Sequence, residues 1–356
     1  MLAIGLMSGT SIDGIDAALI DTDGGRVIRP LGFHSMPYEP EFAHRLRGIL
    51  GRKTPDAETE AVERDLTLLH ARAVGRLLAN AGVRANAVRL VGFHGHTVHH
   101  EPESAFTWQI GDGALLASEC GIDVIADFRS ADVAGGGEGA PLAPVFHAAL
   151  ASGLERPLAV LNVGGVANVT WIGGDGQLMA FDTGPGNALI DDWTYRNTGK
   201  SMDRDGNLAR RGTLDLDVLD HLLRNSYFDR PPPKSLDRNA FDVAAVEPLL
   251  VEDGAATLTR FTAAAVARAC AFFPDPPRRW IVSGGGRRNP VIMDDLRAVL
   301  GVPIEPMEAV GWDGDAIEAQ AFGYLAARRL ENLPTSFPET TGVSSATSGG
   351  VLHKAA

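Results

Sequence analysis

One pattern narrows the possible folds more than any other, because it occurs twice. Residues 2–7 are apolar and strand-like, Ser8-Gly9-Thr10-Ser11 supplies a turn of small residues, and residues 12–21 read as a second strand that alternates in part. About 155 residues later, residues 158–163, Gly164-Gly165 and residues 166–172 spell strand, tight turn, strand again. A hairpin repeated at that distance implies a divergent duplication of one structural unit, and 356 residues leave room for two packed units.

Between and after the hairpins the periodicity is that of an α/β protein. Residues 54–82 combine a threonine cap, Pro55, early acids and Val62, Leu66, Leu69, Ala73 and Leu77 at helical spacing. Strands are expected at 88–93 and 123–128, with a polar-to-apolar stretch at 107–116 between them. The glycine-rich loop 135–139 reads as a domain hinge before an apolar helix at 141–150. Further on, 179–182 and 279–282 read as strands, 186–198, 289–300 and 315–330 as helices, and the prolines at 231–233 as loop. The last twenty residues, rich in Ser, Thr and Gly, are expected to lie along the surface.

Composition removes several classes of function. The formal charge is −13 and no block of Lys or Arg forms a footprint for nucleic acid or an anionic membrane. Cys120 and Cys270 are isolated, which suits a reducing compartment and excludes a thiolate zinc site. No run of about 18 apolar residues occurs, and no basic stretch precedes an apolar core at the N-terminus. A cytoplasmic location with no membrane partner is the expectation.

Neither a GxxxxGK[ST] loop nor a GxGxxG fingerprint follows any strand, so phosphate binding would need another geometry. The segment Gly9, Thr10, Ser11, Ile12, Asp13, Gly14, Ile15, Asp16 supplies close backbone approach, hydroxyl donors at 8, 10 and 11, and carboxylates able to hold water around Mg²⁺; it is equally readable as a polar tight turn. The second hairpin, with Asn162, Gly164, Gly165 and Asn168, could clamp a phosphate chain from the other side. Gly284, Gly285 and Gly286, followed by Asn289, form a strand-to-helix loop that can lie flat against a purine or its ribose, or be no more than a turn. Asp182, in Phe-Asp-Thr-Gly-Pro-Gly-Asn, is readable as a turn or capping residue or as a general base. His94 and His96 could share a metal on a strand, contact a sugar, or make structural hydrogen bonds.

Taken in order, GLMSGTSIDGIDAALI, GFHGHTVHHEP, TWQIGD, IADFRSADVAGGGEGAPLAP, LNVGGVANVTWIGG, FDTGPGNALIDDW, VSGGGRRNP, AIEAQAFGYLA and LPTSFPETTGV resemble the anhydro-N-acetylmuramic acid kinases nearly end to end. The resemblance implies a two-domain actin-like ATPase (ribonuclease H-like) α/β fold with an interdomain cleft, residues 1–128 plus about 331–356 forming one domain and 129–330 the other. It also implies the reaction: ATP, Mg²⁺ and water convert 1,6-anhydro-N-acetylmuramic acid to N-acetylmuramic acid 6-phosphate and ADP in peptidoglycan recycling. Asp182 matches the family's general base, and the two hairpins and the 283–289 loop match its nucleotide-binding segments, with Asp13 or Asp16 holding Mg²⁺ through water. Arg129 and Glu318 match positions that face the sugar, with His94 and His96 beside them; His96 and Glu138 stand where many relatives carry Gln. Relatives are commonly dimers, so a homodimer is expected. Two rivals stand beside this reading: a metal-dependent hydrolase built on His94 and His96, and a non-catalytic sensor of sugar or nucleotide.

Overall fold

In the computed structural model, which describes residues 1–9, 11–236 and 240–355, the chain forms two units, Met1–Gly153 with Ala316–Ala356, and Leu154–Asp315. The first opens with β1 (Leu2–Met7), β2 (Gly14–Thr22) and β3 (Ile28–Pro37), an antiparallel meander, followed by α1 (Pro40–Ile49) and α2 (Ala57–Ala81). Asp56, not Thr54, caps α2: its carboxylate accepts from the Thr59 backbone N–H at 2.8 Å, while the Thr59 hydroxyl accepts from the Asp56 backbone N–H at 2.7 Å. Gly82 ends the helix at φ +65°. Then come β4 (Leu90–Phe93), β5 (His96–Glu101), β6 (Phe106–Ile110), α3 (Gly113–Cys120), β7 (Val124–Ala126), α4 (Ser130–Ala134) and α5 (Pro144–Leu150).

The second unit repeats the plan. Its meander is β8 (Leu158–Val163), β9 (Val166–Ile172) and β10 (Leu178–Pro185), followed by α6 (Ala188–Thr198), α7 (Leu216–Leu222) and α8 (Val251–Ala269). β11 (Trp280–Ser283), α9 (Pro290–Leu300) and β12 (Ile304–Pro306) complete it, and its sheet runs β10-β9-β8-β11-β12. Trp171, Phe181, Phe261 and Trp280 are buried in a core belonging to this unit alone; each large apolar side chain removed from water contributes ~1.5–3 kcal/mol.

The chain then returns to the first unit through α10 (Ile317–Leu330), α11 (Pro338–Thr341) and β13 (Val351–His353). The first sheet runs β13-β7-β4-β1-β2-β3. Setting aside β13, both sheets share one order and one set of directions: an antiparallel meander, then two strands parallel to its first. That is the ribonuclease H-like plan, present twice, and it gives the duplication the sequence hinted at its structural form.

Two expectations are corrected. The units divide at 153/154 and 315/316 rather than at 128 and 330, because α10 packs on the first sheet. Gly5 and Gly92 make this possible, since a Cβ there would lie 1.7 Å from the Ala319 carbonyl oxygen and 2.1 Å from that of Phe322. The loop 135–139 is no boundary: it is tied into the first unit by the buried Asp132, which accepts from Gly139 N at 2.7 Å and from the Thr341 hydroxyl at 2.6 Å. The tail, expected along the surface, adds the exposed edge strand β13 to the first sheet by pairing with β7. No helix among the described residues is long and apolar enough to cross a membrane.

Candidate active site

In the second unit, strand register assembles what sequence scatters. Asp182 on β10 lies opposite Asn168 on β9, Asn168 lies opposite Asn162 on β8, and Asn162 lies beside Ser283 on β11. Cross-strand partners share a face, so three motifs up to 121 residues apart form one polar row at the end of the sheet. A bulge between Asp182 and Gly184 interrupts the ladder, with Gly184 at φ +154°, and re-aims the strand at this point. The Asp182 carboxylate accepts from Leu236 N at 2.8 Å, and its own N–H donates to the Lys234 carbonyl at 3.0 Å. Asp182 is thus a strand residue held by a distant loop, and it caps no helix.

The glycines divide into two kinds. Gly284 has φ +73° and a Cβ there would meet Asn162 Oδ1 at 2.3 Å, while one on Gly286 would meet Val163 Cγ1 at 2.3 Å, so the fold itself demands both. Gly9, Gly164, Gly165 and Gly285 have ordinary φ, and the nearest protein atom to a Cβ would be 3.6, 3.4, 3.7 and 3.7 Å away. Packing does not require glycine at these four positions, whereas a ligand approaching the backbone would. All four lie in the turns that follow β1, β8 and β11, the places where the duplicated plan puts equivalent loops.

Those turns are stiffened from behind. Asn187 Nδ2 donates to the Val163 and Gly164 carbonyls at 3.0 and 3.1 Å, and Gly186 N donates to the Gly165 carbonyl at 2.9 Å, so the Gly-Pro-Gly-Asn segment braces the second hairpin. Asn289 caps α9, its Oδ1 accepting from Val291 N at 3.0 Å and Ile292 N at 3.4 Å. Arg287 went unnoticed in the sequence. Its buried guanidinium bonds the Gly284 carbonyl at 3.0 Å, Glu308 at 2.9 Å and Asp315 at 2.8 Å, locking the glycine loop.

In the first unit the turn after β1 holds Gly9, Ser11, Ile12 and Asp13, with Gly14, Ile15 and Asp16 on β2; Thr10 lies outside the described residues. Ile12 is buried and sits at φ +55°, an outlier for a β-branched side chain, so this turn stores backbone strain. Ser11 donates to Asp13 Oδ1 at 2.9 Å and remains exposed. Ser8 is buried instead, its hydroxyl 2.6 Å from Tyr38 OH and 2.9 Å from His96 Nδ1. Two of the three hydroxyls predicted as phosphate donors therefore differ in kind: Ser11 faces solvent and Ser8 is part of the interior.

His94 and His96 point to different partners. His94 Nδ1 lies 2.9 Å from the Gly95 carbonyl, which can only accept, so the proton is on Nδ1. Nε2 then accepts from Arg129 Nε and Nη2 at 3.1 and 3.0 Å. Burial and the Arg129 charge hold the His94 pKa well below its ordinary value, and burial lowers that of His96 to about 4. Both rings are neutral at pH 7, one facing a guanidinium and the other a serine, and they do not converge on an ion. Among the described residues no group of His, Cys, Asp or Glu has the arrangement of a metal site. The hydrolase reading is not favoured.

Arg129 also donates to the Gly139 carbonyl at 2.7 Å; burial lowers its pKa to about 10, opposed by Glu318 and Asp132, and it stays charged. Glu318, in the first turn of α10, is solvent-exposed, yet desolvation and the carboxylates of Asp16 and Asp13 raise its pKa while Arg129 lowers it. The first unit thus collects Asp13, Asp16, Glu318 and Arg129 into one electrostatic neighbourhood.

Comparison with known proteins gives the chain its family. The model of the family described as anhydro-N-acetylmuramic acid kinase matches residues 1–355. The chain belongs to the anhydro-N-acetylmuramic acid kinase family. A relative of that name from Paramagnetospirillum magneticum is 57% identical over 356 residues, covering 99% of both chains. Another from Rhizorhabdus wittichii is 53% identical over 361 residues, again covering 99% of each. Likeness to solved structures is more remote: component A of (R)-2-hydroxyglutaryl-CoA dehydratase from Acidaminococcus fermentans has a TM-score of 0.49 at 12% identity, over 92% of this chain and 99% of that one. The residues that local pattern does not single out are braces: Asp132, Asn187 and Arg287 contact loops, and their signal in the sequence is only their place within three residues of a glycine.

Proposed function

We propose that this chain uses ATP and water to open the 1,6-anhydro bridge of 1,6-anhydro-N-acetylmuramic acid and phosphorylate O6, giving N-acetylmuramic acid 6-phosphate and ADP in peptidoglycan recycling. The full-length relatives of that name support the reaction class, and the row Asp182–Asn168–Asn162–Ser283 is the single structural observation that carries the assignment of roles.

In this reading Asp182 is the general base. Aspartate is ordinarily ionised at neutral pH, and the Leu236 N–H holds one carboxylate oxygen in place. The base takes a proton from water as the water oxygen bonds to the anomeric carbon. The bond from that carbon to O6 breaks, its electron pair stays on O6, and O6 attacks the γ-phosphorus as the bond to ADP breaks. Gly9, Thr10, Ser11 and residues 12–16, with Asn162, Gly164, Gly165 and Asn168, present backbone and side-chain groups to the phosphates, and Gly284, Gly285, Gly286 and Asn289 form the adenosine loop. Asp13 and Asp16 offer the hard carboxylate oxygens that Mg²⁺ takes, and their shared influence on Glu318 fits a place where a cation would be welcome. The ion, when bound, neutralises phosphate oxygens. Arg129 and Glu318 orient the sugar. His94 and His96 act one step back, His94 by fixing Arg129 and His96 by fixing Ser8. We assign the protein to the cytoplasm and to a homodimer; light scattering that gives the mass of a monomer would overturn the latter.

The test is ADP release from ATP and Mg²⁺ with and without the anhydro-sugar. Sugar-dependent ADP together with a 6-phosphate product is expected. ADP release indifferent to the sugar, or none at all, would overturn the reading.

A further inference from the structure

Lys234 is an unusual lysine, only 4% exposed. Its ammonium donates to the Tyr227 carbonyl at 3.0 Å and reaches that of Phe228 at 3.5 Å. It also lies over the rings of Tyr227 and Phe272, each 4.6 Å away, and 5.7 Å from that of Phe181. A cation is retained away from water only where partners replace hydration, and carbonyl oxygens and ring faces do so here.

The groups it joins are those that hold Asp182. The Tyr227 hydroxyl donates to the Asp182 carbonyl at 2.6 Å, the Lys234 carbonyl accepts from Asp182 N at 3.0 Å, and Leu236 N donates to Asp182 Oδ2 at 2.8 Å. Both peptide groups of Asp182 and one carboxylate oxygen are therefore gripped by two short segments, 226–229 and 234–236. The Lys234 side chain runs from the second segment to carbonyls of the first.

We propose that Lys234 is a positioning residue for Asp182, its buried ammonium fastening the 226–229 turn to the 234–236 segment so that the carboxylate keeps one orientation. The inference rests on the reading of Asp182 as general base. The clamp needs the charge, because a neutral amine loses the attraction of the rings and the charge-assisted bond to the carbonyl. Burial first and the Arg230 charge second lower the ammonium's pKa to about 8, with Asp229 opposing. The titratable or charged groups on the elements around it are Asp182 on β10, Tyr227 and Asp229 with Arg230 after them, and Cys270 in the turn after α8. The grip should loosen as pH rises through that value.

The experiment is steady-state kinetics from about pH 6 to about pH 10 on wild type, Lys234→Met, Lys234→Arg and Asp182→Asn. Lys234→Met is expected to lower kcat by about 10-fold to 100-fold with KM for ATP nearly unchanged, the size of effect that a misplaced base produces. Lys234→Arg, which keeps the charge, should restore much of the loss. Wild-type kcat should fall above about pH 8 and the arginine variant should not. A Lys234→Met enzyme with wild-type kcat beside an inactive Asp182→Asn would overturn the clamp and leave the base intact. An active Asp182→Asn would remove the base, and the clamp with it. Should Lys234→Met fail to fold, the NMR titration of the wild-type Lys234 Cε decides: a midpoint coinciding with the alkaline fall in kcat supports the clamp, and an ordinary lysine midpoint overturns it.

Discussion

The two units share a sheet plan but differ in how they use it. At the end of the second sheet the row reads Asp182, Asn168, Asn162; at the corresponding register of the first it reads His34, Ala17, Leu6. The second hairpin turns on Gly164-Gly165 alone, whereas the first spans residues 8–13 and carries a strained Ile12. One copy has a short stiff turn and a carboxylate on the third strand of its meander. The other has a long polar turn backed by Ser8, Tyr38 and His96. The two units share one order and one set of strand directions, and differ in the groups they carry at the strand ends.

The sharpest way to break this contrast is to alter the equivalent positions Asp182 and His34. Asp182→Asn should lower turnover by about 10²-fold to 10⁴-fold with the fold retained, while His34→Ala leaves turnover within about twofold. Equal losses in single-turnover assays would show that register equivalence, not chemical identity, matters.

Next in size is the division between glycines. Gly284→Ala must adopt a positive φ and clash with Asn162 and Val163, so it should lose at least ~1–2 kcal/mol of stability in denaturant titration. Gly165→Ala meets nothing nearer than 3.7 Å and should melt like wild type, while KM for ATP rises by about 10-fold if the backbone there touches phosphate. A Gly165→Ala enzyme with unchanged KM would take the second hairpin out of the nucleotide site.

Acid should separate the units as well. His70, His96 and His147, all in the first unit, have pKa values lowered to about 4 by burial. His221 is the one histidine in the span 154–315. The unfolded chain takes up protons near pH 6.5 and these buried rings do not, so stability is complete above about 6.5 and is lost as pH falls toward about 4, by ~1.4 kcal/mol per pH unit per ring. Hydrogen exchange at pH 7 and pH 5 should show protection falling in the first unit and little changed in the second.

The smallest effect expected is that of Tyr38→Phe, which removes one hydrogen bond to Ser8 and should cost ~1 kcal/mol of stability. Because Ser8 lies behind the long turn, KM for ATP should rise by no more than about fivefold. A larger rise would move Ser8 from support into the phosphate site.

Much of this was legible in the sequence. The hairpin strands 158–163 and 166–172 are found as expected, since a two-glycine turn between apolar runs leaves few alternatives. The helix at 315–330 was recognised, yet its unit was not, because helical periodicity says nothing about which sheet a helix covers. That answer lies in Gly5 and Gly92, which make room for it far away in the chain. β13 was invisible for a related reason: three residues of edge strand depend on the partner strand β7 and not on their own pattern.

The sequence by itself determined the duplication, the motif order and the kinds of chemical group available, because these follow from local pattern and residue type. Only the tertiary structure decided which groups meet. It aligned Asp182, Asn168, Asn162 and Ser283 through strand register, turned His94 toward Arg129 and His96 toward Ser8, and placed a buried lysine behind the proposed base. Register and burial are properties of paired segments, and no single segment carries them.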